Sequence, residues 1–561
     1  MKYIRGEDRQ QMILYPERLD DLVSDDNPVR IIDAFVDNLD LQVLGFKFSS
    51  IIESGAGHPC YPPWDMLKLY LYGYFNKVRS SRRLQWLCET NTDVMWLTGR
   101  MTPDFRTISD FRKDHVEQIK QVFRIFTKLC TELGLYNKEI GVQDGSKFRA
   151  ANAKDNNLTE SKLNKKLELI EEKIAKYLEE LDKSDAEEGD PQTYTKEEIE
   201  EMLREVMERK DFYEDLQKKM KEESIRQVSF TDPDSRLMKS ANGGFDVSYN
   251  VQIIVDPQSH MIGEFEVTNN GNDMGQLSPL TEQLKDSLDI DILEAVADKG
   301  YDDKADMLNC LMNGTIPHVI PRYGEDSHEF VLDYKACEIT EDKISSTSPD
   351  DIKDCLEAGV LPNAYKDKGI EISVFEIERL GTDASDSESC FTLNDEGTAV
   401  ICPKGSELSK VATLRGKGKT RFASRSVCRK CNEKCTTSTH KQVDLKDGQT
   451  VMPLRKTKVV KKVKIVLKPD KDKTWNRKCI VEHPFGTIKR WLDGSYTSLI
   501  GVEKVGADFA LLFLSYNMKR AISMIGVPAL IEGIREVMGK VMTDYSRFLR
   551  TILRYSRKLA A

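Results

Sequence analysis

The sequence predicts an α/β protein in which a mixed-sheet core follows a helical domain and is interrupted by two insertions. Three observations lead there. Apolar residues recur at helical spacing through the first quarter of the chain, short apolar strands then end on acidic residues, and charge is divided unevenly between two later segments. With 561 residues the chain is too long for one hydrophobic core, and at roughly 150 residues per domain it should hold about three or four. Hydrophobic residues at 39%, charged residues at 31% and aromatics at 8% exclude wholesale disorder.

Residues 1–138 read as the helical N-terminal domain. Pro62, Pro63 and Trp64 open a segment through Met66, Leu67, Tyr70, Leu71, Tyr74 and Phe75 at helical spacing. A second such face carries Val122, Phe123, Ile125, Phe126, Leu129 and Leu133. Between them Arg79, Arg82, Arg83, Arg100, Arg106, Arg112 and Lys113 interleave with Trp86, Trp96 and Phe105, a basic face that suits nucleic acid as well as plain solvation. The first 19 residues hold no apolar run of signal-peptide length, and residues 509–514 fall far short of the roughly 20 a membrane helix needs. A soluble protein of the cell interior, with no membrane partner, is expected.

The core is assembled from residues 139–154, 227–308 and 474–530. A strand over 139–143 is expected to end on Asp144-Gly145-Ser146-Lys147. The first insertion, 155–226, carries 23 acidic and 14 basic residues, close to the whole excess behind the net charge of -10. Leu163, Leu167, Ile170, Ile174, Tyr177 and Leu181 alternate in steps of four and three, a coiled-coil seam. A turn at Gly189-Asp190-Pro191, a capping box at Thr195 and Glu198, and a second apolar stripe through Ile199, Leu203, Val206, Leu216 and Met220 make it an antiparallel helical hairpin. Asp232-Pro233-Asp234 reads as a turn, and is the chief rival cluster for a metal ion.

Strands follow over 247–255 and 261–267 around the turn Asp256-Pro257-Gln258-Ser259, then a short helix opened by Ser278 and Pro279. A buried strand over 293–297 ends on Asp298-Lys299-Gly300-Tyr301. Two acids thus stand at the ends of two apolar strands. The second insertion, 309–473, is β-rich, and residues 404–489 hold 24 basic against 7 acidic residues. Of the 12 cysteines, Cys402, Cys428, Cys431 and Cys435 are spaced to suit a tetrahedral Zn2+, with His440 as a substitute ligand; the plainer reading is reduced thiols. Helices are expected over 475–492, carrying Glu482 and Lys489, over 505–522, and over the C-terminal 531–561.

Phosphodiester cleavage at neutral pH needs an activated water and a neutralised pentacovalent phosphate, which two Mg2+ ions supply and carboxylates must hold. Asp144 and Asp298 on neighbouring strands, with Glu482 on a following helix, suit that task. Singly, each is better read as a turn residue or a solvated acid; their order and flanks carry the reading.

Those flanks resemble the DDE-type insertion-sequence transposases, the bacterial group with a helical N-terminal domain and a ribonuclease-H-like catalytic core. Asp144 in Gln-Asp-Gly-Ser-Lys looks like the first acid, Asp298 in Ala-Asp-Lys-Gly-Tyr the second, and Glu482 in Val-Glu-His-Pro-Phe-Gly-Thr-Ile-Lys-Arg-Trp the third. Where the family places a Tyr and an Arg ahead of the Glu, this chain has Trp475 and Lys478, while the distal Lys is matched by Lys489. Trp keeps a stacking surface; Lys keeps the charge but not the bidentate grip of Arg, for which Arg477 stands ready to compensate. The resemblance implies cleavage of element ends and their joining to target DNA by two Mg2+ ions, with Mn2+ able to substitute. It further implies DNA contact by Trp475, Arg477, Lys478, Lys489 and Arg490, a homodimer in the synaptic complex, and a cytoplasmic, nucleoid-associated protein of a bacterium or archaeon. The competing readings are a catalytically silent DNA-binding derivative and a nuclease of the same fold that cuts without joining.

Overall fold

The computed structural model describes residues 18–48, 60–153, 156–186, 196–222, 227–240, 243–378, 390–414, 418–431, 439–453 and 459–559. It divides into two compact units, the first made of residues 1–310, 315–322 and 470–561 and the second of 311–314 and 323–469.

The first unit begins with helices α1 (Val29–Asp37), α2 (Pro63–Phe75), α3 (Ser81–Thr90), α4 (Thr92–Leu97), α5 (Phe105–Asp114) and α6 (Val116–Glu132). Pro63 presets the first turn of α2, and Leu67, Tyr70, Leu71 and Tyr74 are buried around most of its circumference, so it is a core helix rather than an amphipathic one. Asn91 and Asp104 accept from the free amides that open α4 and α5.

Next come β1 (Ile140–Arg149), β2 (Asn157–Thr159), α7 (Glu160–Ala186), α8 (Lys196–Glu222) and β3 (Gln227–Ser229). Helices α7 and α8 pack on each other, with Leu158, Leu163 and Met220 buried together at their base. The predicted turn at residues 189–191 and the cap at Thr195 lie outside the described residues. Asp232 is buried, where it accepts from the Tyr249 hydroxyl at 2.7 Å and the Gly501 amide at 3.2 Å, while Asp234 accepts from the Val502 amide at 3.0 Å. That cluster is a structural anchor.

Strands β4 (Arg236–Lys239), β5 (Phe245–Val255) and β6 (Ile262–Thr268), helix α9 (Leu277–Leu288), strand β7 (Leu293–Ala297), helix α10 (Lys304–Met312) and strand β8 (Thr315–Val319) complete the sheet. Its order is β4-β5-β1-β7-β8, with β6 also paired to β5. Strands β1, β7 and β8 run parallel while β5 is antiparallel to β1, β4 and β6. This is the mixed sheet expected of a ribonuclease-H-like core. All five residues of β7 are buried, as a central parallel strand covered on both faces requires. Strand β1 runs five residues past the predicted end at Asp144, because Val142 to Arg149 pair continuously with Val255 to Ser248. The amides opening α9 are capped by Asp306 rather than by Ser278.

The second unit holds β9 (His328–Asp333), α11 (Glu341–Ser345), α12 (Pro349–Glu357), β10 (Ile370–Glu378), β11 (Cys390–Leu393), β12 (Ala399–Ile401), β13 (Glu407–Leu414), β14 (Lys419–Ala423), α13 (Arg425–Lys430), β15 (Gln442–Lys446), β16 (Val451–Pro453) and β17 (Val459–Leu467). Two antiparallel sheets form, β10-β17-β9 and β15-β14-β13-β12-β11-β16. The second closes over Phe391, Val400, Leu408, Phe422, Val443 and Leu445, with Cys402 and Cys428 resting against that cluster. Cys435 lies outside the described residues.

The chain ends in the first unit with α14 (Lys471–Gly486), α15 (Val502–Ile525) and α16 (Val527–Leu559). Helix α15 packs on α2, α6 and β6, and its buried Asp508 is the centre of a polar knot. Asp508 accepts from the Tyr74 hydroxyl and the Arg79 guanidinium; Arg112 donates to Tyr74 at 2.7 Å and lies 3.7 Å from Asp508. Arg79 also donates to the carbonyls of Asp493 and Tyr496 at 3.0 and 2.9 Å. Arg79 and Arg112 are therefore withdrawn from the expected basic face, whereas Arg82, Arg83, Arg100, Arg106 and Lys113 stay exposed. None of the described helices is long and apolar enough to cross a membrane.

Candidate active site

The register of the central strands sets two acids side by side. Val142 of β1 lies opposite Val296 of the parallel β7, so two residues further on Asp144 and Asp298 occupy equivalent positions and point to the same face. Asp144 lies within β1; Asp298 follows β7 and accepts from the Gly300 amide at 2.6 Å, capping a single turn at Lys299–Tyr301. Burial, followed by the field of Asp298, pushes Asp144 up to about 6, against the opposing pull of Arg477.

Helix α14 covers this edge. Its first turn is capped by Asp470, which accepts from the Asp472 and Lys473 amides. The turn is tied to the sheet by Lys473, ion-paired with the buried Glu294 of β7, and Glu294 in turn meets His318 of β8 at 2.8 Å. Thr474, Arg477, Val481, Phe485 and Ile488 follow at helical spacing along the inward face. Pro484 removes the amide that would bond the Ile480 carbonyl, and His260 Nδ1 approaches that carbonyl at 3.3 Å instead. Beyond Gly486 the helix widens into a π turn over Thr487–Trp491.

Arg477 was expected on the DNA side and instead turns inward. Its Nη1 lies 3.1 Å from Asp144 Oδ2 and its Nη2 3.7 Å from Asp298 Oδ2. Arg477 is thus ion-paired with both acids. Glu482, five residues on, is about 140° further round the helix. Its side chain is 64% exposed and pairs with Lys478 at 3.7 Å. The structure brings Asp144 and Asp298 together and leaves the Glu482 carboxylate on the outer face beside Trp475, which is 86% exposed. Among the described residues no three His, Cys, Asp or Glu side chains are disposed around a metal position.

Lys489 does not share that outer face, as even helical spacing would have it. The π turn rotates it onto β1, where it donates to Ser146 Oγ at 2.7 Å and the Lys147 carbonyl at 3.1 Å and lies 4.5 Å over the Phe148 ring. Arg490 remains exposed. A further acid escaped the sequence reading: Asp273, in the loop before α9, accepts from Asn250 and Gln252 of β5. Its Asn-Gly-Asn-Asp-Met-Gly context signals only a turn.

Two family models match the chain: a transposase domain (DUF772) over residues 17–114 and a transposase DDE domain over residues 401–522. Both matches support an insertion-sequence DDE transposase. The first match spans helices α1 to α5, and the second spans Glu482, α14 and most of α15. Asp144 and Asp298 fall outside both matches and rest on the register of β1 and β7. Nothing among the curated proteins or the solved structures matches this chain.

The raised pKa of Asp144 has a measurable consequence. The folded chain holds this proton more tightly than the unfolded chain, so the contribution to stability is full below about pH 4 and is lost as pH rises through about 6. In metal-free buffer the wild type should lose more melting temperature between about pH 5 and 7 than Asp144→Asn does. Equal losses would show that Asp144 titrates as an ordinary carboxylate.

Proposed function

We propose that this protein is a transposase that cleaves the ends of an insertion sequence and joins them to target DNA by metal-dependent phosphoryl transfer, with Asp144, Asp298 and Glu482 as its acids. The observation that carries the proposal is the pair of carboxylates at equivalent positions of adjacent parallel strands, with one cationic side chain between them. The donor set consists of carboxylate oxygens, which suits Mg2+ or Mn2+. Such ions supply an activated water and neutralise charge on the phosphate under attack.

The protein's own contribution is positional. Strand pairing fixes Asp144 and Asp298, and the Glu294 anchor fixes the start of α14. Glu482 would have to leave its pair with Lys478 to complete the set. Trp475, Lys478 and Arg490 are exposed around it and offer a stacking surface and two phosphate contacts to DNA. Synapsis of two ends calls for two protomers. For the cysteines, a structural Zn2+ is the proposal, with Cys402 and Cys428 already on one apolar cluster; metal analysis of the purified protein tests it.

The test is cleavage and strand transfer in Mg2+ on DNA carrying the element's ends, comparing wild type with Glu482→Gln. Joined product from the wild type, lost in the variant while DNA binding persists, is the expected result. Cleavage without joining in the wild type would make the protein a nuclease. Equal activity in the two would remove Glu482 from the acid set.

A further inference from the structure

Two exposed aromatic rings beyond the acid pair rest on cations of a single loop. Trp491, at the end of the π turn, is 69% exposed, with Lys77 Nζ 5.5 Å from the centre of its ring. Tyr496 is 46% exposed, with the Arg79 guanidinium also at 5.5 Å. Lys77 and Arg79 are two residues apart between α2 and α3, so their Cα atoms lie no more than roughly 7 Å from each other. Arg79 is held by the buried Asp508 and by the Asp493 and Tyr496 carbonyls, which fixes the second ring to the core of the fold.

The charge beside these rings is uncompensated. Lys519 of α15 lies 3.5 Å over the Phe75 ring, and burial, followed by the field of Lys77, pushes its ammonium down. Arg490, next to Trp491, is exposed. Among the described residues no carboxylate is ion-paired with Lys77, Lys519 or Arg490, although Asp493 follows only three residues after Arg490. Lys77 also holds a left-handed backbone, φ 65°, at the end of α2, a position that glycine fills with less strain. Cations gathered in this way, with no acid among them, favour an anion.

Strand β1 ties this patch to the candidate active site. The Arg149 amide donates to the Ser495 carbonyl at 3.4 Å and the Thr497 amide to the Arg149 carbonyl at 2.9 Å, so the segment bearing Tyr496 is pinned to the end of β1. Arg149 is five residues beyond Asp144, about 16 Å along the strand, or roughly five steps of 3.4 Å along a nucleic-acid strand. Lys489 pins the π turn, and with it Trp491, to Ser146 and Lys147 of the same strand. The groups on offer are point cations and open ring faces. A paired base keeps both its faces inside the stack, whereas an unpaired base can lie on an aromatic ring while its phosphates meet the cations.

We propose that this patch holds an unpaired stretch of DNA strand, with bases on Trp491 and Tyr496 and phosphates on Lys77, Lys519 and Arg490. The inference rests on the reading of the protein as one that acts on DNA. It is tested by binding of a 20-nucleotide oligothymidylate and of a blunt duplex of about the same length to the full chain, in wild type, Trp491→Ala, Trp491→Phe and the double variant Lys77→Gln/Arg490→Gln. Trp491→Ala should weaken single-strand binding about tenfold and duplex binding much less, with a melting temperature near wild type. The double variant should lower the salt dependence of single-strand binding by roughly one to two ions. The fluorescence lost in Trp491→Phe should be the part that the oligonucleotide quenches in the wild type. If the wild type binds DNA and all three variants bind it equally well, the patch has no such role and the transposase reading stands. Equal losses on duplex and single strand would overturn the unpaired strand in favour of duplex contact. If the wild type binds neither, both readings fall.

Discussion

Asp144→Asn is expected to lower DNA cleavage and joining together by roughly 10³-fold, with DNA binding retained, because one carboxylate oxygen at the centre becomes a neutral amide. The amide keeps the shape of the side chain and its place in β1, which is fixed by eight paired positions along β5. What it loses is the charge that holds Arg477 and would hold an ion. Asp298→Asn should behave alike, since the two side chains share the same guanidinium. Gel assays of nicked and joined products against a filter-binding control read the effect. A variant that cleaves within about tenfold of wild type would remove the residue from the centre.

Asp508→Ala should cost about 3–5 kcal/mol of unfolding free energy, the loss expected when one partner of a buried ionic cluster is removed. Asp508 is 1% exposed and its carboxylate accepts from Tyr74, Arg79 and Thr497. Without it two guanidiniums, Arg79 and Arg112, stay buried with no counter-charge. Burial and the field of Asp508 both raise the Tyr74 phenol, so that hydroxyl remains a neutral donor at any working pH. Urea denaturation of the full chain, read by far-UV circular dichroism, measures the loss. A decrease below about 1 kcal/mol would mean that the knot is solvated rather than buried.

Much of the architecture is legible along the chain because local rules dominate there. The apolar periods of α2 and α6, the turn at Asp256–Ser259 and the acidic hairpin α7 and α8 all follow from the spacing of their own residues. The site is only half legible. Asp298 sits where a buried strand stops, and the stop is visible in the composition of Leu293 to Ala297. The continuation of β1 beyond Asp144 is not, because Ser146, Lys147 and Arg149 look like a loop until β5 pairs with them. Likewise Arg79 and Arg112 look like a DNA-binding face until Asp508 arrives from more than 390 residues away.

The sequence by itself determined the class of the fold and put forward Asp144 and Asp298 as candidate acids, since hydrophobic period and turn chemistry act over a few residues. The tertiary structure alone decided which side chains those acids meet. Arg477 rather than a third acid stands between them, Glu482 faces outward with Lys478, Lys489 turns onto β1 through a π turn, and Asp273 comes in from a loop onto Asn250 and Gln252 of β5. Each of these depends on strand register and helix rotation, which are set by packing between segments far apart in the chain and leave no mark in local spacing.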